Sequence, residues 1–308
     1  MTDRQHTYDS DAAFRRALAD RLRTQAQRRG RAVNQLRREF AFQRFLARVF
    51  ADPDAPWVLK GGAAMLARLP DARHSRDVDL YHPGRHTELP EALPEALAEL
   101  TAALDTSAPD RLRFVLESSR PISDDAADLP FAAYVGATVL DRFTVYLTLH
   151  LRPVAGIEHV RPPHVLDLPG LPEIPRLRLY PVHDQLADKI CSMYARYGEA
   201  AAPSSRYRDL VDIVLVLRQV ALDARELRQA VTDEALRRHV DLPVQITLPG
   251  SAWTTGYRSA AVDSPLPRDP HDPTAAIALL ATCVQPVLER AILRGTWDPM
   301  SARWQRRK

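Results

Sequence analysis

The chain has 308 residues, 45% hydrophobic and 26% charged, a composition that supports a sizeable packed core and excludes a disordered or fibrous chain. A formal net charge of +3 and an isoelectric point near 9.0 suit a polyanionic partner. No apolar stretch reaches the length of a membrane span, MTDRQHTYDSD at the start is not a signal peptide, and Cys191 and Cys283 form no spaced metal set, so the expected location is the cytoplasm, with both cysteines as thiols.

Residues 9–51 read as two helices divided at Gly30, with Ser10 as N-cap and Phe14, Leu18, Leu22, Leu36, Phe40 and Phe45 on the apolar face. Off that face lie Arg21, Arg23, Arg28, Arg29, Arg31, Arg37 and Arg38. Such a run is most often a solvated face; with a nucleic-acid substrate it would supply phosphate contacts.

The stretch from Trp57 to Tyr81, WVLKGGAAMLARLPDARHSRDVDLY, carries the chemistry. Trp57-Val58-Leu59 reads as a strand, Gly61-Gly62 as a sharp turn into a short helix, and Asp77-Val78-Asp79-Leu80 as a second strand. Side chains alternate along a strand, so Asp77 and Asp79 share one face while Val78 and Leu80 point into the core. Two carboxylates held together repel unless a cation lies between them, and oxygen donors of this kind suit Mg²⁺ with a nucleotide's phosphates. Glycines before a helix let backbone N–H groups approach phosphate closely.

Residues 83–90 read as a loop and 91–105 as a helix. Residues 111–117, 131–140 and 143–151 read as strands that extend the sheet, with a hairpin near Asp141-Arg142. Residues 152–181 are rich in proline and read as a linker. HDQLADKICSMYARYG then forms a helix stopped at Gly198, and RYRDLVDIVLVLRQV another. In the latter Asp209 and Asp212 are one turn apart, and Asp212 is expected to pair with Arg208 across a turn. Residues 222–240 form a helix, 241–273 a long loop whose Trp253 and Tyr257 anchor it or stack on an unpaired base, and 274–293 a last helix before a frayed basic tail. Lysine occurs only as Lys60, Lys189 and Lys308, so the two internal lysines, both within the motifs, stand out as places where a compact ammonium is wanted.

Gly61-Gly62, a spacer of fourteen residues and Asp77-Val78-Asp79 resemble the signature of the DNA polymerase β-type nucleotidyltransferase superfamily. The fuller pattern LKGGAAML…RHSRDVDL, followed by Lys189 and Arg206-Tyr-Arg-Asp-Leu-Val-Asp212, resembles the AbiEii/AbiGii toxin family within it, which includes the MenT toxins; the matched pieces run over roughly residues 55–215. The resemblance implies an α+β fold: Arg-rich N-terminal helices (1–55), a small mixed-sheet nucleotidyltransferase core (56–180) and a helical C-terminal domain (181–308) that completes the active site. It implies a Mg²⁺-dependent nucleotidyltransferase in which Asp77 and Asp79 hold the metal, Lys189 grips the triphosphate and Asp209 orients the pocket or the acceptor. Ser75, Lys60, Gly61, Gly62 and Arg206 would line the nucleotide site. The superfamily's third carboxylate has no counterpart between Phe143 and His150, and Asp141 lies just outside, so one Mg²⁺ is expected rather than two. The implied function is a toxin that transfers NMP from an NTP to the 3′ end of tRNA and blocks translation, neutralised by an AbiEi-like antitoxin protein, with no membrane partner. The alternatives are a nucleotidyltransferase acting on an antibiotic or metabolite, and a non-catalytic protein that binds a nucleotide or a partner.

Overall fold

In a computed structural model the chain is an α+β protein of two compact units: residues 1–70, 74–152 and 158–179 form one, and residues 71–73, 153–157 and 180–308 the other. The structure describes residues 8–69, 72–83, 89–105, 110–149, 153–198, 201–262, 264, 266 and 271–305. The loop expected over 83–90 falls mostly outside these residues, as do the last three residues of the tail. Among the described residues no helix is long and apolar enough to cross a membrane.

The first unit starts with α1 (Asp11–Arg29) and α2 (Val33–Val49). The Ser10 hydroxyl accepts from Ala13 N–H at 3.1 Å, and Gly30 ends α1 in a left-handed conformation (φ 60°) that a side chain would resist. Phe14, Leu18, Leu22, Leu36, Phe40 and Phe45 are buried, as their spacing predicts. The arginines off that face divide: Arg31 pairs with Glu39 and Arg38 with Asp141, while Arg21 and Arg28 are exposed.

The sheet of this unit has strands β1 (Val58–Lys60), β2 (Asp77–His82), β3 (Leu112–Leu116), β4 (Arg120–Ser123), β5 (Ala126–Val135), β6 (Thr138–Leu149), β7 (Glu158–Val160) and β8 (Leu177–Leu179). Their order is β3-β5-β6-β2-β1-β8-β7, with β4 on the outer edge of β5. β2 runs parallel to β6, and β1 parallel to β8; the remaining pairs are antiparallel. Helix α3 (Gly61–Arg68) links β1 to β2, and α4 (Leu89–Leu104) follows β2. Val78, Leu80, Val145, Leu147 and Leu129 are all fully buried on one face, where Phe45 of α2 meets Phe131 and Phe143 edge-on at 5.3 and 5.5 Å.

Two sequence expectations change here. The hairpin between β5 and β6 turns at Gly136, not near Asp141-Arg142: Gly136 has φ 60°, and a Cβ there would lie 2.5 Å from Asp11 Oδ2. The pairing shifts between Ala133 and Tyr134, which leaves Leu140 as the bulged residue, and Asp141 and Arg142 pair in register within the strand instead of ending it. Residues 152–181 are not simply a linker, because β7 and β8 add two strands to the sheet beyond β1.

The second unit holds α5 (Val182–Tyr194), a small hairpin of β9 (Arg196–Tyr197) and β10 (Ala202–Pro203), α6 (Tyr207–Leu217), β11 (Leu222–Asp223), α7 (Ala224–Arg237), α8 (Ala252–Val262), α9 (Pro273–Leu288), β12 (Thr296–Asp298) and β13 (Arg303–Gln305). Gly198 is not the stop of α5, which ends at Tyr194; it sits between β9 and β10 with φ 69°. The expected loop 241–273 contains α8, whose Trp253 and Tyr257 are buried in the core of the unit and so do not meet a base. The tail is not frayed through Gln305: β13 pairs with β12, and the Trp304 indole donates to Cys283 O at 2.9 Å.

Candidate active site

The turn from β1 into α3 places two glycines where side chains from β2 and the residues before it need room. Gly61 has φ 60°, and a Cβ on it would come within 1.8 Å of Asp79 Oδ2. A Cβ on Gly62 would come within 2.4 Å of Ser75 Oγ. Both positions therefore need glycine for space, and Gly61 also for its backbone. Lys60 is the N-cap of α3 and makes no side-chain capping hydrogen bond there.

Along β2 Asp77 is exposed and Asp79 half-buried, whereas Val78 and Leu80 between and after them are fully buried. The two acids therefore share the open face, as strand alternation predicts. Lys60 lies directly across from Asp79 in the antiparallel β1–β2 pair and so shares that face. Ser75 is buried, its hydroxyl 3.1 Å from both the carbonyl oxygen and Oδ1 of Asp77, so its one proton is within reach of either acceptor and ties Ser75 to Asp77. Lys60, Gly61, Gly62, Ser75, Asp77 and Asp79 are thus gathered around one strand–turn–helix in the first unit.

Residues that the sequence reading did not single out share this face. β6 sets Thr144 beside Asp77 and Tyr146 beside Asp79, and β5 sets Asp128 across from Tyr146. They carry no motif, and only the strand register brings them to the acids. Asp141, just outside the matching strand region, serves packing instead of the site, since it is buried and accepts two hydrogen bonds from Arg38 at 3.1 and 3.2 Å.

The second unit holds the other expected residues. Lys189 of α5 is buried, its Nζ 3.1 Å from Asp209 Oδ1 and 2.6 Å from Asp212 Oδ2, both on α6. Asp212 does not pair with Arg208 as the sequence suggested; it faces inward, where Arg73 donates to it through Nε at 2.7 Å and through its terminal nitrogen at 2.8 Å. Arg206 donates to Asp209 Oδ2 at 2.6 Å and leaves about half of its side chain, 54%, exposed. Arg73 was not foreseen, although it lies within the run that ends in RHSRDVDL, because a bidentate contact between segments 139 residues apart has no local signature.

Burial alone would strip the Lys189 charge, but attraction from Asp212 and Asp209 outweighs it and holds the ammonium above its ordinary pKa. Burial likewise opposes the charge on Asp212, and Lys189 and Arg73 reverse that, keeping its carboxyl below the usual range. Three cations, Arg73, Lys189 and Arg206, surround two carboxylates, so the cluster keeps one positive charge in excess. The start of α6 is itself fixed: the Trp253 indole donates to Ser204 O at 2.9 Å, its ring meets Tyr207 edge-on at 5.1 Å, and Gly256 has no room for a Cβ because the Tyr207 ring lies 2.3 Å from where it would be.

Comparison with known proteins bears on this arrangement. The family model described as the nucleotidyl transferase AbiEii toxin of type IV toxin–antitoxin systems matches residues 44–282. Among solved structures, MenT4, a nucleotidyltransferase toxin from Mycobacterium tuberculosis, is similar with a TM-score of 0.51 at 15% identity, covering 86% of this chain and 98% of that one. A putative nucleotidyltransferase from H. pylori is similar with a TM-score of 0.44 at 13% identity, covering 83% and 96%, and JHP933 from Helicobacter pylori with a TM-score of 0.41 at 12% identity, covering 83% and 94%. No curated protein matches the sequence.

Proposed function

Because the chain belongs to the AbiEii family of nucleotidyltransferase toxins, we propose that it is the toxin of a type IV toxin–antitoxin pair and transfers NMP from an NTP to the 3′ end of tRNA in a Mg²⁺-dependent reaction, blocking translation in the cytoplasm. The observation that carries this reading is the fit at the glycine turn, where the Asp79 carboxylate occupies the space a side chain on Gly61 would fill, on the same strand face as Asp77. An antitoxin protein of the AbiEi type is the expected partner.

The donor set suits a hard divalent cation. Asp77 and Asp79 offer oxygen ligands, and phosphate oxygens and water would complete the coordination of a bound Mg²⁺. When bound, that cation supplies charge neutralisation at the reacting phosphate.

The remaining work belongs to the protein. The α3 start and Lys60 draw the triphosphate, and Ser75 holds Asp77 in its binding orientation. Within the second unit Lys189 is kept charged by its two acids, and Asp209 holds both it and Arg206 in place, a fixed pair of cations of the kind that counters phosphate charge. In the transfer the acceptor 3′-oxygen bonds to the α-phosphorus, the bond from that phosphorus to the bridging oxygen breaks, pyrophosphate leaves with the electron pair, and the hydroxyl proton passes to water.

The test is incubation with each labelled NTP, Mg²⁺ and total tRNA. Label should enter tRNA with wild type and not with Asp77→Ala. Label entering no RNA with any of the four NTPs overturns the proposal, and label entering a small hydroxylated molecule instead would favour the antibiotic or metabolite reading.

A further inference from the structure

The strand register puts a row of five side-chain positions across the open face of the sheet: Lys60 on β1, Asp79 on β2, Tyr146 on β6, Asp128 on β5 and Arg120 on β4. Asp79, Tyr146 and Asp128 are each half-buried, while Val145, Leu147, Ala127 and Leu129, which alternate with Tyr146 and Asp128, are at most 1% exposed. Neighbouring strands are about 4.8 Å apart, so Tyr146 stands about 5 Å and Asp128 about 10 Å from Asp79, both on the side away from the glycine turn.

That side matters for an in-line reaction. Attacking and leaving oxygens lie on opposite sides of the phosphorus in transfer of this kind. The α3 start and Lys60, which suit a polyphosphate, lie on the β1 side of Asp79, and Arg120 stands at the far end of the row across from Asp128. The acceptor hydroxyl must then arrive from the β6 and β5 side, across Tyr146. An aromatic ring and a carboxyl oxygen on that side are what a nucleobase uses: a face to stack on, and an oxygen that accepts from an exocyclic amine.

We propose that Tyr146 and Asp128 form the subsite for the acceptor's terminal nucleotide, Tyr146 stacking on its base and Asp128 accepting a hydrogen bond from the base's exocyclic amine. This rests on the nucleotidyl-transfer reading and adds to it the place and the base preference of the acceptor. A purely packing role for Tyr146 would give neither RNA selectivity nor any link to Asp128.

The experiment uses the full chain with Mg²⁺, the NTP that wild type prefers, and short oligoribonucleotides ending in A, C or U; thermal melts check folding, and calorimetry reads NTP binding separately. Tyr146→Ala should raise KM for RNA about tenfold or more while NTP affinity holds, and Tyr146→Phe, which restores the ring, should return the RNA KM to within about threefold of wild type. Asp128→Asn should remove most of the preference for A or C ends over U, and it decides the matter if Tyr146→Ala melts too early to assay. An unchanged RNA KM in folded Tyr146→Ala, a loss confined to NTP affinity, or an unaltered end preference in Asp128→Asn overturns the inference while leaving the transfer reading standing. Wild type that labels no RNA overturns both.

Discussion

Arg73 and Asp212 are joined by two hydrogen bonds of 2.7 and 2.8 Å, and the same carboxylate holds Lys189 at 2.6 Å. Asp212 is thus the shared anion of two cations at a position 1% exposed. Asp212→Asn removes the charge and leaves Lys189 with Asp209 alone and Arg73 without its forked partner. Breaking a buried pair from one side is costly, so urea unfolding should show a loss of about 3 kcal/mol or more. A variant within about 0.5 kcal/mol of wild type would mean that water reaches this cluster freely.

The pH dependence of stability follows from the same contacts. Asp212 has its carboxyl lowered from 3.8, so its contribution is present above that value and is lost as pH falls through the lower folded value. Lys189 is raised from 10.5, so its contribution is present below that value and is lost as pH rises through the higher folded value. From about pH 5 to about pH 9 the network should contribute fully, and Asp212→Asn should flatten the acid limb of a denaturation profile.

Gly61→Ala combines two faults. The left-handed backbone disfavours any L side chain by roughly 1–2 kcal/mol, and the new methyl would lie where Asp79 Oδ2 now is. The fold should survive, because Asp79 can swing away from an open face, but on the proposed reading the two acids would no longer be placed to share a cation. We expect a normal far-ultraviolet spectrum together with lost metal-dependent NTP binding, read by calorimetry with and without Mg²⁺.

Ser75→Ala is milder. It removes the hydroxyl tied to Asp77 without adding bulk beside Gly62. A single hydrogen bond contributes about 1 kcal/mol, so the Mg²⁺ concentration for half-maximal activity should rise roughly fivefold, with little change in melting temperature.

Gly256→Ala tests the support of α6. Its methyl would press into the Tyr207 ring at 2.3 Å, and the overpacking should cost about 1–3 kcal/mol in urea unfolding. Trp253→Phe keeps an aromatic body but drops the bond to Ser204 O, and it should loosen the turn bearing Arg206, seen as faster amide exchange over residues 204–209.

Much of the first unit was legible in the chain because the signals are local. Ser10 and Gly30 bound α1 through their own backbone chemistry, and the alternation of Asp77, Val78, Asp79 and Leu80 fixes two faces regardless of neighbours. The errors came where partners are distant. Asp141-Arg142 looks like a turn, yet Arg38 from α2 absorbs the acid; Asp212 looks like an exposed helix residue, yet Arg73 and Lys189 draw it inward. Short strands such as β8 leave no period to read, since three residues flanked by proline look like loop until another strand pairs with them.

The sequence by itself determined the glycine turn, the spacing and facing of the two acids, and the family, since each depends on residue order within one strand–turn–helix. Tertiary structure alone decided that Tyr146 and Asp128 stand in line with Asp79, and that Lys189 is clasped by two carboxylates. Cross-strand register and long-range ion pairing are set by packing between distant segments, and no window along the chain contains both partners.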